Sequence, residues 1–196
     1  MNRGAEKSLV KRILAGDHEA CVRMVRLHHG AIYRLLVRLC GERHLAEDLT
    51  QETFASGWAG MRTFRGTSSL GTWLYRIAYR KFVDARRRQR PAAVASEGAV
   101  DQLRSSARDP SEDAIAGEQS RQLREAVERL PPAERDAIVL HYLQGLSFRE
   151  MAEVLDEPTG TAKWRTSRAL ESLRTFLGGQ RKNETGQATC SRDVEP

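Results

Sequence analysis

LSFREMAEVLD (146–156) followed by EPTGTAKWRTSRALESLR (157–174) decides how the second half of the chain folds. Ser147 is a good N-cap and Glu150 lies three positions on, so the first segment opens as a capping box. Met151, Val154 and Leu155 give it an inward face, with Ala152 small enough for close packing. The pattern breaks at Asp156-Glu157-Pro158-Thr159-Gly160, because Pro158 cannot continue the helix. A second helix starts near Thr159 to Thr161. On its wheel Ala162, Thr166, Ala169, Leu170, Leu173 and Leu177 share one broad face. Thr161, Lys163, Trp164, Ser167, Arg168 and Arg174 point elsewhere, and Arg165 lies near the edge. Two helices and a tight turn, the second helix basic outside, suit insertion into a DNA major groove. Lysine and arginine hold phosphates there, and arginine can also read a guanine edge. A plain amphipathic hairpin with a solvated basic face fits the same residues.

The remaining composition narrows the choice. The 196 residues carry a net charge of +6, with 30% charged and 40% apolar side chains. That describes a helical protein compatible with a nucleic-acid partner. No apolar stretch is long enough for a membrane span, and Met1-Asn2-Arg3 leads into a charged helix rather than a secretory signal. A cytoplasmic protein is expected. The cysteines Cys21, Cys40 and Cys190 form no CxxC pair and read as reduced thiols, the first two on apolar helical faces. The neighbours His28 and His29 would point about 100° apart on a helix and do not suit one metal ion. No metal and no cofactor is expected.

The fold class is all-α, as two small helical domains joined by a flexible linker. Residues 6–90 form the first domain. Two helices lie within 6–40, with Gly16 able to close one and Asp17 able to cap the next. A third helix spans about Leu45 to Gly60 and a fourth about Ser69 to Arg88, joined through Arg62 to Ser68. Residues 91–114, rich in Ala, Ser, Asp and Glu and without aromatics, read as the linker. The second domain, 115–178, has helical periodicity at about Ile115 to Leu130 and Ala133 to Leu143, split by Pro131-Pro132. Residues 179–196 read as a disordered tail.

Charge in the first domain is segregated. Between 62 and 90 stand Arg62, Arg65, Arg76, Arg80, Lys81, Arg86, Arg87, Arg88 and Arg90 against the single acid Asp84. Between 42 and 52 stand Glu42, Glu47, Asp48 and Glu52 against Arg43. Phe64, Trp73, Tyr75 and Tyr79 are interleaved with the cations, a mixture that suits unpaired nucleic acid through stacking and phosphate contact. Trp73 fits a core position equally well. The run from Arg86 to Arg90 favours phosphate.

Three motifs in series, AEDLTQETFASGW (46–58), FRGTSSLGTWLYRIAYRKFVDARRR (64–88) and LPPAERDAIVLHYLQGLSFREMAEVL (130–155), together resemble bacterial sigma factors. The short two-domain form is similar to the extracytoplasmic-function group of the sigma-70 family, over about residues 7–177. The resemblance implies a transcription initiation factor with no catalysis of its own, which binds core RNA polymerase and directs it to promoters. It implies a region-two domain and a region-four domain. Asp48, Gln51, Glu52 and Phe54 would meet the clamp helices of the beta-prime subunit, with Asp48 and Glu52 sharing a face. Phe64, Thr67, Ser68, Trp73, Arg76, Tyr79, Arg80, Arg86 and Arg87 would recognise and melt the −10 element. Thr161, Lys163, Trp164, Arg165, Ser167 and Arg168 would read the −35 element as duplex. The earlier helices of the second domain would hold the beta flap, and an anti-sigma factor would control the whole.

The chain departs from the family at Trp164, where a small hydroxyl residue is usual, at Thr166 (usually apolar), at Leu170 (often basic) and at His28-His29, where an aromatic is common. The competing reading is a one-component helix-turn-helix regulator, which predicts a ligand pocket and a dimer; the charged, aromatic-rich first domain argues against it. An enzyme would need a nucleophile–base set, a phosphate loop or clustered ligands, and the sequence carries none.

Overall fold

A computed structural model describes residues 3–89 and 118–189, with side chains over 4–89 and 121–178. All regular structure among the described residues is helical. The first domain comprises α1 (Arg3–Leu14), α2 (His18–Cys40), α3 (Arg43–Gly60) and α4 (Leu70–Gln89). The second comprises α5 (Glu118–Glu128), α6 (Pro132–Ile138), α7 (Phe148–Leu155) and α8 (Thr159–Thr189). The expected linker, 91–114, lies outside the described residues.

Local chemistry sets the boundaries. Asp17 caps α2 by accepting from the Ala20 amide at 3.1 Å, and the turn before it needs Gly16 at φ +83°. Gly41, also left-handed, ends α2 by donating to the Val37 carbonyl. Ser69 caps α4 through the Thr72 amide at 3.0 Å. Pro131-Pro132 opens α6, where a missing amide hydrogen costs least. Ser147 and Glu150 complete the capping box of α7. After α6 the chain makes one turn of π-helix, Val139–Leu143, before α7 begins.

α2, α3 and α4 pack together around Met24, Ile32, Leu36, Leu49, Leu70 and Leu74. α3 and α4 approach closely at Gly57, where a Cβ would come within 2.9 Å of a Leu74 methyl. Thr50 and Thr53 are buried in α3 and satisfy their hydroxyls on the carbonyls of Ala46 and Leu49, both at 2.6 Å. In the second domain Leu140, Met151, Val154 and Ala162 form one core, and Ala126, Leu130, Ile138, Ala169 and Leu173 a second beneath α5.

Two features differ from the sequence reading. The domains are not simply tethered: α4 packs on α7, and Leu35 of α2 is fully buried in the core built by Leu140, Met151 and Val154. The helical backbone of α8 also runs to Thr189, past the expected end near 178. Gly178 and Gly179 weaken a helix by about 1 kcal/mol each without blocking it, and no proline follows before the helix ends.

Leu74 makes no contact with solvent, so Leu74→Ala lowers stability by about 2–5 kcal/mol in urea unfolding. Burial pushes the Cys40 thiol up to about 12 and raises that of Cys21 as well. At about pH 8, where an ordinary thiol is reactive, peptide mapping after labelling finds both cysteines unmodified in the folded chain and modified in urea.

Candidate polymerase and nucleic-acid interfaces

Asp48, Gln51 and Glu52 stand exposed along one edge of α3. Glu52 pairs with Lys81 of α4 at 3.1 Å, which leaves Asp48 as the less committed carboxylate of the two. Phe54 is not on that edge. It is half-buried and stacks on His29 at 6.2 Å between ring centres, and His29 stacks in turn on Tyr33. His29 therefore serves as an aromatic ring in a ladder between α2 and α3. Its neighbour His28 is half-buried, and burial lowers its pKa. Its Nε2 is buried without a hydrogen-bond partner.

The candidates for the −10 element divide among three settings. Thr67 is exposed and Ser68 half-buried in the loop before α4. Phe64 and Trp73 pack against each other, tilted, at 5.3 Å, and both lie against the first-domain core. The Trp73 ring fills the space beside Gly57 and Gly60, where added Cβ atoms would meet it at 3.7 and 3.6 Å. Arg87 is exposed and pairs within its own helix with Asp84 at 3.1 Å.

Arg76, Tyr79, Arg80 and Arg86 are turned toward the second domain. Asp156 binds Arg76 at 2.6 Å and Arg80 at 3.1 Å. Asp136 accepts the Tyr79 hydroxyl at 2.7 Å and lies 3.6 Å from Arg86. The hydroxyl of Thr72 donates to Glu150 at 3.3 Å. Arg38 of α2 donates to the Leu143 carbonyl at 2.8 Å. The hydrogen bond and charge of Arg76 hold the Asp156 carboxyl below its usual range. At Asp136 burial acts the other way, raising the pKa against the pull of Arg86 and Tyr79. Burial also presses upward on Glu150, but its bonds to Ser147 and Thr72 outweigh it and the pKa falls.

The rotation of α8 agrees with its wheel. Ala162, Thr166, Ala169 and Leu173 are buried, Leu170 and Leu177 half-buried. Thr166, polar yet buried, returns its hydroxyl to the Ala162 carbonyl at 2.9 Å. Lys163, Trp164, Ser167 and Arg168 face solvent, with Thr161 and Arg165 half-buried beside them. Trp164 is 57% exposed, and Arg168 lies over its ring at 5.3 Å. The arginines are also held from below: Arg168 Nε pairs with Glu134 at 3.0 Å and Arg165 with Glu157 at 2.7 Å. Sequence reasoning passed over Glu134, Asp136, Asp156 and Glu157 as partners of the candidate arginines, and Glu150 as the partner of Thr72. Only Asp156 carries a local signal, since it stands in the left-handed region at φ 59°, a conformation short polar side chains tolerate.

No helix among the described residues is long and apolar enough to cross a membrane. Among the same residues no group of three or more His, Cys, Asp or Glu is placed to hold a metal ion.

Comparison with known proteins matches residues 24–92 to sigma-70 region 2 and residues 120–173 to sigma-70 region 4. The chain is 32% identical over 179 residues to the extracytoplasmic-function (ECF) sigma factor SigW of Bacillus subtilis, covering 87% of this chain and 96% of that one. It is 31% identical over 180 residues to the sigma-H factor of Pseudomonas aeruginosa, covering 88% and 93%. In fold it resembles CnrH, solved with the cytosolic domain of CnrY, at a TM-score of 0.66 and 21% identity over 89% of this chain and 98% of that one. It also resembles RpoE of Bartonella quintana, solved with the anti-sigma factor NepR, at 0.58 and 24% over 80% and 95%. With two helical regions in the family's order, the first ending in a cation-rich helix and the second in a helix-turn-helix, the chain belongs to the ECF sigma factors of the sigma-70 family, non-enzymatic proteins of transcription initiation.

Proposed function

We propose that the chain docks core RNA polymerase through the exposed edge of α3 and reads promoters with α4 and α8. The observation that carries this reading is the rotation of α8. Its small and apolar residues are spent on the core, and Lys163, Trp164, Ser167 and Arg168 are left outside at successive turns. A helix so placed reads duplex by lysine contacts to phosphate and arginine contacts to base edges. Arg168 is tied through Nε, and the Nη edge of a guanidinium is the one that reaches guanine O6 and N7 as a pair.

On α3, Asp48 and Gln51 offer a charge and an amide to the clamp helices of the beta-prime subunit. Phe54 supports that edge from behind, through its stacking on His29. On α4 and the loop before it, Phe64, Thr67, Ser68 and Trp73 surround the position where an unstacked −10 base would lodge, and Arg80 and Arg87 border it with charge. Exposed Tyr142 and Leu143, at the turn before α7, suit an apolar contact with the beta flap. The fold shared with RpoE, solved bound to an anti-sigma factor, supports control by a protein of that type here.

Reconstituted transcription tests the reading. Sigma-free core polymerase, the chain and fragmented genomic DNA yield discrete transcript starts that share two upstream elements. Absence of core binding would overturn it. Asp48→Ala with Gln51→Ala, both on a solvent edge, weakens core binding about tenfold, or ~1.4 kcal/mol, and leaves thermal stability unchanged. Arg168→Ala weakens binding to the −35 duplex by about 1–3 kcal/mol. An equal loss on random duplex reassigns Arg168 to phosphate.

A further inference from the structure

Trp164 is the only large apolar side chain exposed on α8 among the described residues. Its exposed neighbours on the helix, Lys163, Ser167 and Arg168, are polar, and the acid Glu171 follows about one turn beyond Arg168. A carboxylate repels phosphate, so Glu171 marks where the duplex-facing surface ends. Within that surface the indole is the one group that gains from an apolar contact.

Arg168 fixes where the indole stands. Glu134 of α6 is 9% exposed at its side chain and takes Arg168 Nε at 3.0 Å. Its other carboxylate oxygen accepts the Ser172 hydroxyl at 3.4 Å. With Nε committed, the Nη pair is what remains for a base edge. The guanidinium carbon lies 5.3 Å from the centre of the Trp164 ring. Bases along a strand repeat every ~3.4 Å. When Arg168 addresses one base pair, the indole therefore stands one or two pairs away.

The major groove offers an apolar plate a single fitting group. Every base-pair edge there carries donors and acceptors, and only thymine adds a methyl, at C5. Against that methyl the indole buries apolar surface and leaves no polar atom dry. Against a purine edge it would cover acceptors that it cannot satisfy, which is costly. Against cytosine it would face a gap where the methyl is missing.

We infer that Trp164 is a specificity-determining residue of α8, selecting a thymine by its C5-methyl one or two base pairs from the guanine that Arg168 reads. The inference rests on the reading of α8 as the −35 helix. Indole and guanidinium act as one unit, a donor pair for guanine beside an apolar plate for thymine.

The test uses holoenzyme assembled from core polymerase and the full chain, bound to a labelled promoter duplex taken from the reconstituted transcript starts. Each guanine of the upstream element is replaced singly by 7-deazaguanine, which lacks the N7 acceptor, and each thymidine by deoxyuridine, which lacks only the methyl. The guanine whose substitution weakens wild-type binding but not that of Arg168→Ala is the one Arg168 reads. Within two base pairs of it, one deoxyuridine weakens wild-type binding about fourfold, the factor expected for one buried methyl group. Trp164→Ser, a change at a solvent-exposed position, binds the thymidine and deoxyuridine duplexes alike. The ratio between the two duplexes is the readout, so a general loss of affinity in the variant does not obscure it. Wild-type indifference to every deoxyuridine near that guanine overturns the inference. Equal sensitivity in Trp164→Ser gives the methyl to another side chain, such as Thr161, and overturns it too. If no guanine responds to Arg168, the inference falls while α8 retains its phosphate contacts. If no discrete starts arise at all, it falls together with the promoter reading.

Discussion

Burial of Leu70, Leu74, Ala78 and Phe82 against α2 and α3 fixes the rotation of α4 about its own axis. Once that stripe is committed to the core, the 3.6-residue repeat dictates where every other α4 side chain points. Thr72, Arg76, Tyr79 and Arg86 fall on a second face, and Arg80 and Arg87 lie toward a third. Arg80 stands near the border and reaches Asp156 from there. One helix thus carries a core stripe, a docking face for the second domain and an edge toward solvent. Its cations cannot be redistributed among these surfaces without unpacking the first domain.

The second domain obeys the same rule with smaller side chains. Ala162, Thr166 and Ala169 let α8 approach its neighbours closely, and the Thr166 hydroxyl is absorbed by the helix's own carbonyl. That bond lets a hydroxyl occupy a buried position. A valine-shaped residue whose one polar atom is satisfied locally packs much as valine would. The outward face then takes the large residue. Trp164 stays in solvent and supports Arg168 from the side while Glu134 holds it from below. The guanidinium is restrained before any DNA arrives, which reduces the rotamer entropy lost on binding.

Most helices were legible because each carried both a period and a stop. Asp17, Gly41, Ser69, Pro131-Pro132 and Ser147 mark ends by chemistry that acts within one turn, and the structure uses all of them. The inward face of α8 was legible for the same reason. The contacts between domains were not, because they depend on residues far apart in the chain. Leu35 looks like any other core leucine of α2, and nothing near it says that it belongs to the other domain's core. Asp136 reads as an ordinary polar residue of α6, yet it is 2% exposed and meets Tyr79 and Arg86. Trp73 was undecided between base contact and core. In the structure it packs within the first domain, against Phe64 and beside Gly57 and Gly60, which a wheel of α4 alone does not reveal.

Asp136 shows how the contact between the domains sets desolvation against pairing. Taking a carboxylate out of water is costly, and partners repay that cost only when their geometry is good. Here the hydroxyl of Tyr79 is close, at 2.7 Å, but Arg86 stands back at 3.6 Å, and burial still raises the carboxyl's pKa. Desolvation and pairing therefore act on Asp136 in opposite directions. The neighbouring pairs on Asp156 are solvated. The apolar part of the contact lies around Leu35, with Tyr75 and Tyr79 at its margin. Leu35 is a modest area to bury. The interface thus combines a buried leucine, a carboxylate whose desolvation its partners offset only in part, and solvated ion pairs on Asp156.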